Sequence, residues 1–532
     1  MTRTLRAAAA LTAIFVGVAP SIARAETPPF SDAETLAPPP STPPAAEPPT
    51  EPRYLRAILV EIGLLAVGNV DYLLNTGARG GTPRPGDRRW DLRYDWPTFE
   101  RKLSGDLWRV DGNQFNTNYI SHPFAGTMFY MGARANDLSI LESAGYATAT
   151  SLGWEYFSEL REVVSVNDVV VTPAAGVAIG ETFTRLGAFF ARSRENVPNG
   201  VLAFLFTPMR LLLDVADGRS HAHAPGDRNG LATDAWRAFM VYGGPRLAAQ
   251  SGSTPEARRA RGSARGGVDM RLVGLPAYDG AGHASVAFRH ADVARFVLEG
   301  SPGSARLVDA RFSTRVVPAG LYEHHVEPDR EGRLRGHGGF VGLLVTFDYT
   351  VHDLDRDGAR PLDLVVTTSP LGVSAEHTLH RGGLRLRSGL DVSAIFAGYT
   401  PYALDAFRAR ARSPDDAASA LPSVLAEKNY AHGLGVNVTP SVQVLLGALD
   451  AGVRASVDSI QALQGLDERE PRPVGRISDR RVVATVWAGL THARSGIGLR
   501  FEGEGRVREG EVHGAAASRS EIAITGATSW RF

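Results

Sequence analysis

The 532-residue chain has no cysteine, which excludes disulfides, thiolate metal sites, a thiol nucleophile and a lipid anchor on an N-terminal cysteine. It has no excess of charge either. Lys plus Arg and Asp plus Glu both total 57, so no global field draws in nucleic acid or steers an acidic ligand. Long unbroken apolar runs are scarce. Tyr54 to Asn75 is apolar but interrupted by Arg56, Glu61, Asn69 and Asp71, a heavy cost for a lone membrane helix. A helix buried against other helices or inside a barrel fits that stretch better. Walker loop, dinucleotide fingerprint beside a strand and zincin motif are all missing, so neither nucleotide nor cofactor is expected.

What is present changes along the chain. Residues 1–25 read as a signal peptide: Arg3 and Arg6, an apolar run from Ala7 to Val18, and the small-x-small cleavage site Ala23-Arg24-Ala25. Export follows from it. Residues 26–53 hold ten prolines and nothing that could build a core, the composition of an extended spacer. Residues 54–230 are patterned as a helical domain. Within it Gly77 to Asp95 is a loop, Phe124 to Ala135 one helix, and Ser139 to about Arg161 a second, opened by a Ser139/Glu142 capping box. Asn167-Asp168 reads as a cap or turn before a third helical segment, Pro173 to Arg192, and Val201 to Val215 is broken at Thr207-Pro208. Gly126, Gly132, Gly145, Gly153, Gly176, Gly180 and Gly187 lie inside these helices. Each costs ~1 kcal/mol there, so close helix–helix or helix–wall packing is expected.

From residue 231 to 532 the period becomes two. Val268, Met270 and Leu272 alternate with Asp269 and Arg271, and Val345, Phe347, Tyr349 and Val351 with Thr346, Asp348 and Thr350. Leu384, Leu386, Leu390 and Val392 oppose Arg385, Arg387 and Asp391; Leu449 to Val457 and Ile497 to Phe501 repeat the pattern. Many of these runs reach the roughly 10 residues that a tilted strand needs to cross a bilayer. Charged loops, Asp353 to Arg360 and Leu466 to Arg480, separate some of them. The last strand, Ile522 to Phe532, carries Ile522, Ile524, Trp530 and Phe532 on one face and ends on the aromatic. Such an ending resembles the C-terminal signal read by the barrel-assembly machinery, with Trp530 and Phe532 as its residues.

The block from Asp111 to Glu181 resembles a bacterial envelope family, domain of unknown function 3943. The resemblance rests on Asp111, Asn113, Phe115, Asn116, Asn118, His122-Pro123, Gly126, Tyr130, Ala133-Arg134, Ser151, Trp154-Glu155-Tyr156, Glu159, Asn167-Asp168, Pro173, Gly176 and Gly180-Glu181. The family-like block spans residues 111–192. It implies an envelope protein and no particular activity.

Two chemistries compete. A lipid hydrolase would use His122 to activate a serine, Ser151 or Ser121, with Glu155 or Asn118 orienting the imidazole. Against it stands a structural role, with His122 fixing the turn into the first helix and Asn116 and Asn118 acting as Asx-turn caps. Glu155, Glu159 and Glu162 share a helix face at i, i+4 and i+7. Such a row can bind a divalent cation with His122 or act as paired acid and base. The reading favoured is structural: ion pairs with Arg134, Arg161 or Arg185, or the pairing of a plug with lumenal arginines. Asp111, Asn113, Asn116, Asn118, Arg134, Glu159, Asp168 and Glu181 are the structural or lumenal polar set. His221-x-His223 and His324-His325 lack a third ligand nearby and are read as loop histidines, so no metal is expected.

The expected fold is α+β: a Gly-rich helical N-terminal domain followed by an antiparallel outer-membrane-type β-barrel of about 12 strands. The expected function is a barrel that the helical domain plugs or caps, structural or transport-related, with outer-membrane lipid and the barrel-assembly machinery as partners. The alternatives are the His122 hydrolase and a soluble periplasmic β-protein.

Overall fold

In the computed structural model, residues 51–77, 95–159, 162–219, 222–252, 260–302, 307–353, 362–466 and 475–532 are described. The signal peptide, most of the Pro-rich spacer, the loop at 78–94, Arg161 and His221 lie outside them. The helical segment comprises α1 (Tyr54–Gly77), α2 (Trp96–Leu103), α3 (His122–Arg134), α4 (Ile140–Gly153), α5 (Val166–Arg192), α6 (Val197–Phe206) and α7 (Pro208–Asp217). A two-residue parallel pair, β1 (Trp108–Arg109) and β2 (Val164–Ser165), ties its loops together.

Local chemistry accounts for the helix limits. Ser139 and Glu142 form the reciprocal capping box that opens α4. Thr207-Pro208 breaks α6 from α7 with a bend of 108°. Two expectations need correction. The third helix starts at Val166, seven residues before Pro173, because the Ser165 side chain accepts from the Asp168 amide and caps it there. Pro173 is inside the helix and Asn167 and Asp168 are in its first turn. The second helix does not run on to Arg161: after Gly153 the chain opens into a π-turn, Trp154–Ser158. The helical stretch ends at Ser158 and Glu159 leaves it with non-helical dihedrals, so Glu155, Glu159 and Glu162 do not share one helix face.

Glycine sets the helix crossings, as its abundance predicted. A Cβ at Gly126 would lie 1.9 Å from the Thr172 carbonyl oxygen, and one at Gly176 would lie 2.5 Å from that of Gly126. The main chains of α3 and α5 therefore touch. Gly145 and Gly153 have no such neighbour within 4 Å.

Among the described residues, the chain after Trp236 forms β3 (Trp236–Gly252), β4 (Ala260–Val273), β5 (Gly282–Phe288), β6 (Val293–Pro302), β7 (Leu307–Val317), β8 (Gly320–Pro328), β9 (Leu334–Asp353), β10 (Leu362–Arg381), β11 (Leu384–Tyr399), β12 (Ala431–Leu446), β13 (Leu449–Ala462), β14 (Ile477–Thr491), β15 (Ile497–Val512) and β16 (Ala515–Arg531). Three short helices, α8 (Leu404–Arg408), α9 (Pro414–Ser419) and α10 (Ser423–Lys428), bridge β11 to β12. All neighbouring strands after β2 pair antiparallel, and β16 returns to β3 while β9 joins β10, which closes a 12-strand barrel. β5 and β8 are not further staves. β8 continues β7 across a register step between Val316–Val345 and Gly320–Gly342, and β5 leads into β6 through a bulge containing Ala291 at φ 52°.

The period-2 alternation sorts the barrel into two faces. Leu434, Val436, Val442, Val453, Ile522 and Ile524 point outward and are exposed, whereas Asp450, Asp458, Glu504, Arg508 and Glu521 are buried inward. An apolar exterior around a polar lumen is the reverse of a water-soluble barrel. The helical segment, expected to plug or cap this lumen, lies against its outer wall. On β9 the residues Thr346, Asp348, Thr350 and His352 face the lumen. Val345 and Phe347 are on the opposite face, packed with Val171, Ala175, Ala178 and Ile179 of α5. Farther along, Phe189, Phe190 and Phe206 pack with the outward Phe239, Met270, Leu272 and Phe296. These wall positions are too apolar to line a wet lumen, and burial against the helices satisfies them.

Candidate functional site

The lumen is the larger of two polar sites. Its cavity of about 160 Å³ is lined by eight arginines, among them Arg265, Arg311, Arg454 and Arg506, and by eight carboxylates, among them Glu299, Asp348, Asp391 and Glu504. Most are paired across strands: Arg311 with Asp348 at 2.9 Å, Arg315 with Asp391 at 2.7 Å, and Arg265 with Glu299 at 2.9 Å. Arg246 is the most enclosed, its side chain 2% exposed, 2.9 Å from both Asp309 and Glu521 and 3.7 Å from Glu504. Arg454 makes no hydrogen bond or ion pair among the described residues, although it too faces the cavity.

Asp309, His352 and Glu521 bring three ligand-type atoms together. Three guanidinium groups already occupy that region: Arg246 on both carboxylates, Arg519 on Glu521 at 2.9 Å and on His352 at 2.6 Å, and Arg506 on Asp309 at 3.4 Å. A cation would have to displace them, so the cluster fits an arginine-filled constriction better than a metal site. The sequence did not reveal it because the three residues come from β7, β9 and β16; only their inward parity was readable.

The second site lies where the helical segment meets the outer wall. Asp111 accepts from Asn113 Nδ2 at 2.7 Å and from Asn167 Nδ2 at 3.3 Å, and also from the side chain of Asn118. Asn118 donates to the Tyr430 hydroxyl at 3.0 Å, which in turn donates to the Asn113 carbonyl at 2.8 Å. Tyr119 reaches the wall itself: it is 2.7 Å from His432 Nδ1 and packs where a Cβ on Gly398 would stand. His432 Nε2 is 3.2 Å from the Asp111 carbonyl oxygen. That nitrogen must donate, so Nδ1 accepts from Tyr119. Tyr430 and His432 carried no signal in sequence, being some 300 positions away.

His122 sits at the rim of this network. Its Nε2 is 3.7 Å from Asp168 Oδ2, and neither buried atom has a hydrogen-bond partner. Ser151, expected as the nucleophile, donates instead to the Asp168 carbonyl at 3.3 Å, and Glu155 accepts from the Ser165 amide at 2.7 Å. Among the described residues no hydrogen bond joins His122 to Ser151 or Glu155. The carboxylate beside His122 is thus Asp168. Ser121 and Asn116 are exposed, and Asn116 makes no cap bond. The cation beside the glutamates is Lys102, which donates to the carbonyls of Glu155 at 3.1 Å and Glu159 at 2.8 Å. Burial pushes its amine below the usual range against the pull of the three glutamates, and burial also lifts the Glu159 carboxyl to about 8.

The remaining polar residues are structural in placement. Arg134 holds the buried Glu181 at 2.8 Å, and Tyr130 donates to the same carboxylate at 2.8 Å, so this pair is internal to the bundle rather than lumenal. Arg185 pairs with Asp292 of the wall at 3.3 Å. His223 lies 2.8 Å from the Ser193 carbonyl, while His324 and His325 occupy β8 and point to opposite faces. Trp530 is exposed on the outer wall, and Phe532 packs on Phe239 at the β16–β3 closure, 6.0 Å between ring centres.

Residues 107–209 match the family model for a domain of unknown function, DUF3943. No curated protein matches the chain in sequence. Among solved structures, a loop-deletion variant of the outer-membrane protein OmpT of Vibrio cholerae aligns over 55% of this chain and 99% of its own, at 6% identity and TM-score 0.22. A FadL homologue of Pseudomonas aeruginosa aligns over 55% and 90%, at 8% identity and TM-score 0.21. The translocator domain of the autotransporter NalP of Neisseria meningitidis aligns over 63% and 98%, at 13% identity and TM-score 0.20. Likenesses this slight carry no functional information.

Proposed function

From an outer-membrane barrel bearing a DUF3943 segment on its wall, we propose a narrow polar passage: a transport-related protein with no reaction of its own. The carrying observation is the lumen, where eight arginines and eight carboxylates replace an apolar filling. Buried charges cost several kcal/mol each unless paired, so a barrel kept only for stability would be filled with aliphatic side chains. Equal numbers of the two signs give the passage little charge preference. The proposal includes export by the residue 1–25 signal and insertion by the barrel-assembly machinery through the terminal strand with Trp530 and Phe532.

Single-channel recording in planar bilayers tests this. Small steps with a reversal potential near zero in a KCl gradient are expected, and Arg454→Glu is expected to move that potential toward cation selectivity. Inserted protein that passes no current sinks the transport reading.

A second reading has one observation behind it. His122 Nε2 and Asp168 Oδ2 are buried, facing and unbonded, beside the exposed apolar Ile120 and Phe124. A histidine with a buried carboxylate at the lipid-facing edge suits acyl-ester hydrolysis, with Ser121 or Ser151 as nucleophile. His122→Ala decides it: lost phospholipid or lipopolysaccharide deacylation by a folded protein supports the enzyme. Unchanged lipid turnover removes it.

A further inference from the structure

No single helix among the described residues is long and apolar enough to cross a membrane alone, and α6 with α7 pass that test together only as a bent pair. The helical segment nevertheless has its polarity turned inside out. From Tyr54 to Val70 of α1 the exposed positions are Tyr54, Leu55, Ile58, Leu59, Ile62, Gly63, Ala66, Val67 and Val70, without one charged or amide side chain. A helix on the surface of a water-soluble domain presents the opposite pattern. Two polar residues of α1 face the bundle: Glu61 accepts from Thr150 at 3.2 Å, and Asn69 donates to Ser158 at 2.8 Å.

Neighbouring helices repeat this. Leu141, Gly145 and Ala149 are the exposed positions within α4, and Val201, Phe204 and Leu205 are exposed on α6. Charge collects at the two ends of the bundle. One end holds Arg53 and Arg56 on Asp217, with Arg210 and Arg219 on Asp137. The other holds Lys102 with Glu155, Glu159 and Glu162. Between them α1, at 24 residues, measures about 36 Å at 1.5 Å per residue, close to the ~30 Å of a bilayer's hydrocarbon. The apolar waist continues the exposed band of the barrel wall, since α5 lies directly on the outward residues of β7, β9 and β10. The helices also touch through Gly126, Gly176 and Gly180, the small-residue packing that serves where lipid removes the hydrophobic drive.

We infer that the helical segment lies within the bilayer beside the barrel, with the outer faces of α1, α4 and α6 against lipid acyl chains. The inference rests on the barrel's own membrane placement. The occupant is lipid rather than a second copy because the face is continuous with a wall that lipid must already cover.

The absence of cysteine makes the test clean. Leu59→Cys and Ile62→Cys on α1, with Ile524→Cys on the barrel wall and Arg412→Cys in the β11–β12 connection, are each labelled with bimane. The full chain is then reconstituted into phosphatidylcholine vesicles whose acyl chains carry bromine. Labels at 59 and 62 are expected to lose fluorescence to the same degree as that at 524, while the one at 412 loses it only to aqueous iodide. A silent pair at 59 and 62 beside a quenched 524 overturns the inference alone: iodide quenching would put the segment in water, and protection from both quenchers would put another chain over it. A silent 524 overturns the barrel's placement, and the inference with it.

Discussion

Gly126→Leu is expected to detach α3 from α5 and leave the barrel closed but stripped of its helical flank. Gly126 meets Thr172 main chain to main chain, with 1.9 Å between the position of a new Cβ and the carbonyl oxygen. A Cβ on Gly176 would in turn lie 2.5 Å from the Gly126 carbonyl oxygen, so the crossing is main chain against main chain from both helices. Overpacking costs about 1–3 kcal/mol where side chains can yield; here the obstacle is backbone, and the cost falls at or beyond the upper end. Limited trypsin digestion checks it. The variant should release helical fragments while the barrel still shifts mobility on heating, and Gly145→Ala, which has nothing within 4 Å, should match the parent. A Gly126→Leu protein as protease-resistant as the parent would show that the two main chains do not meet at this crossing.

Arg246→Ala has the second large expected effect, and it acts on the other half of the molecule. Its guanidinium is the shared partner of Asp309, Glu504 and Glu521. Deleting it leaves three inward carboxylates to Arg506, Arg519 and the more distant Arg265, which are already engaged with them. Breaking a buried pair by removing one partner costs roughly 3–5 kcal/mol. The urea midpoint of the lipid-embedded barrel should fall accordingly, and single-channel steps should widen where the side chain stood. Arg335→Ala is the control: that side chain is 63% exposed and its contact with Asp329 is in water, so the midpoint should not move. An unmoved midpoint in Arg246→Ala would mean that the remaining arginines suffice.

The barrel was legible because membrane strands write their environment into every second residue. Leu384, Leu386, Leu390 and Val392 against Arg385, Arg387 and Asp391 give the two faces of β11 from their order in the chain alone. The register steps before Gly320 and Val293 were not legible, since they depend on which strand each segment meets. The site of the helical segment was also hidden. Alternation marks a residue as outward, not what covers it; the one available sign was aromatic weight, with Phe296, Phe312, Phe347 and Phe396 outward where the helices lie. In the polar seam the sequence brought forward Asp111, Asn118, His122 and Asp168 but misassigned the partners. Glu155 turned to the Ser165 amide once the π-turn rotated it, and Asp168 took the place beside His122.

The position of the helices has a consequence for how the chain is threaded. β3 follows the helical segment almost at once, yet its partner β16 is the last strand, so the seam joins residues such as Leu247 and Ile524 across most of the barrel sequence. Contacts that distant form late. Had the helices filled the lumen, the staves would have had to wrap an already folded core. Docked outside, the segment leaves the closing ring empty, and zipping the seam and seating the helices become two separable events, each reached sideways through the membrane plane.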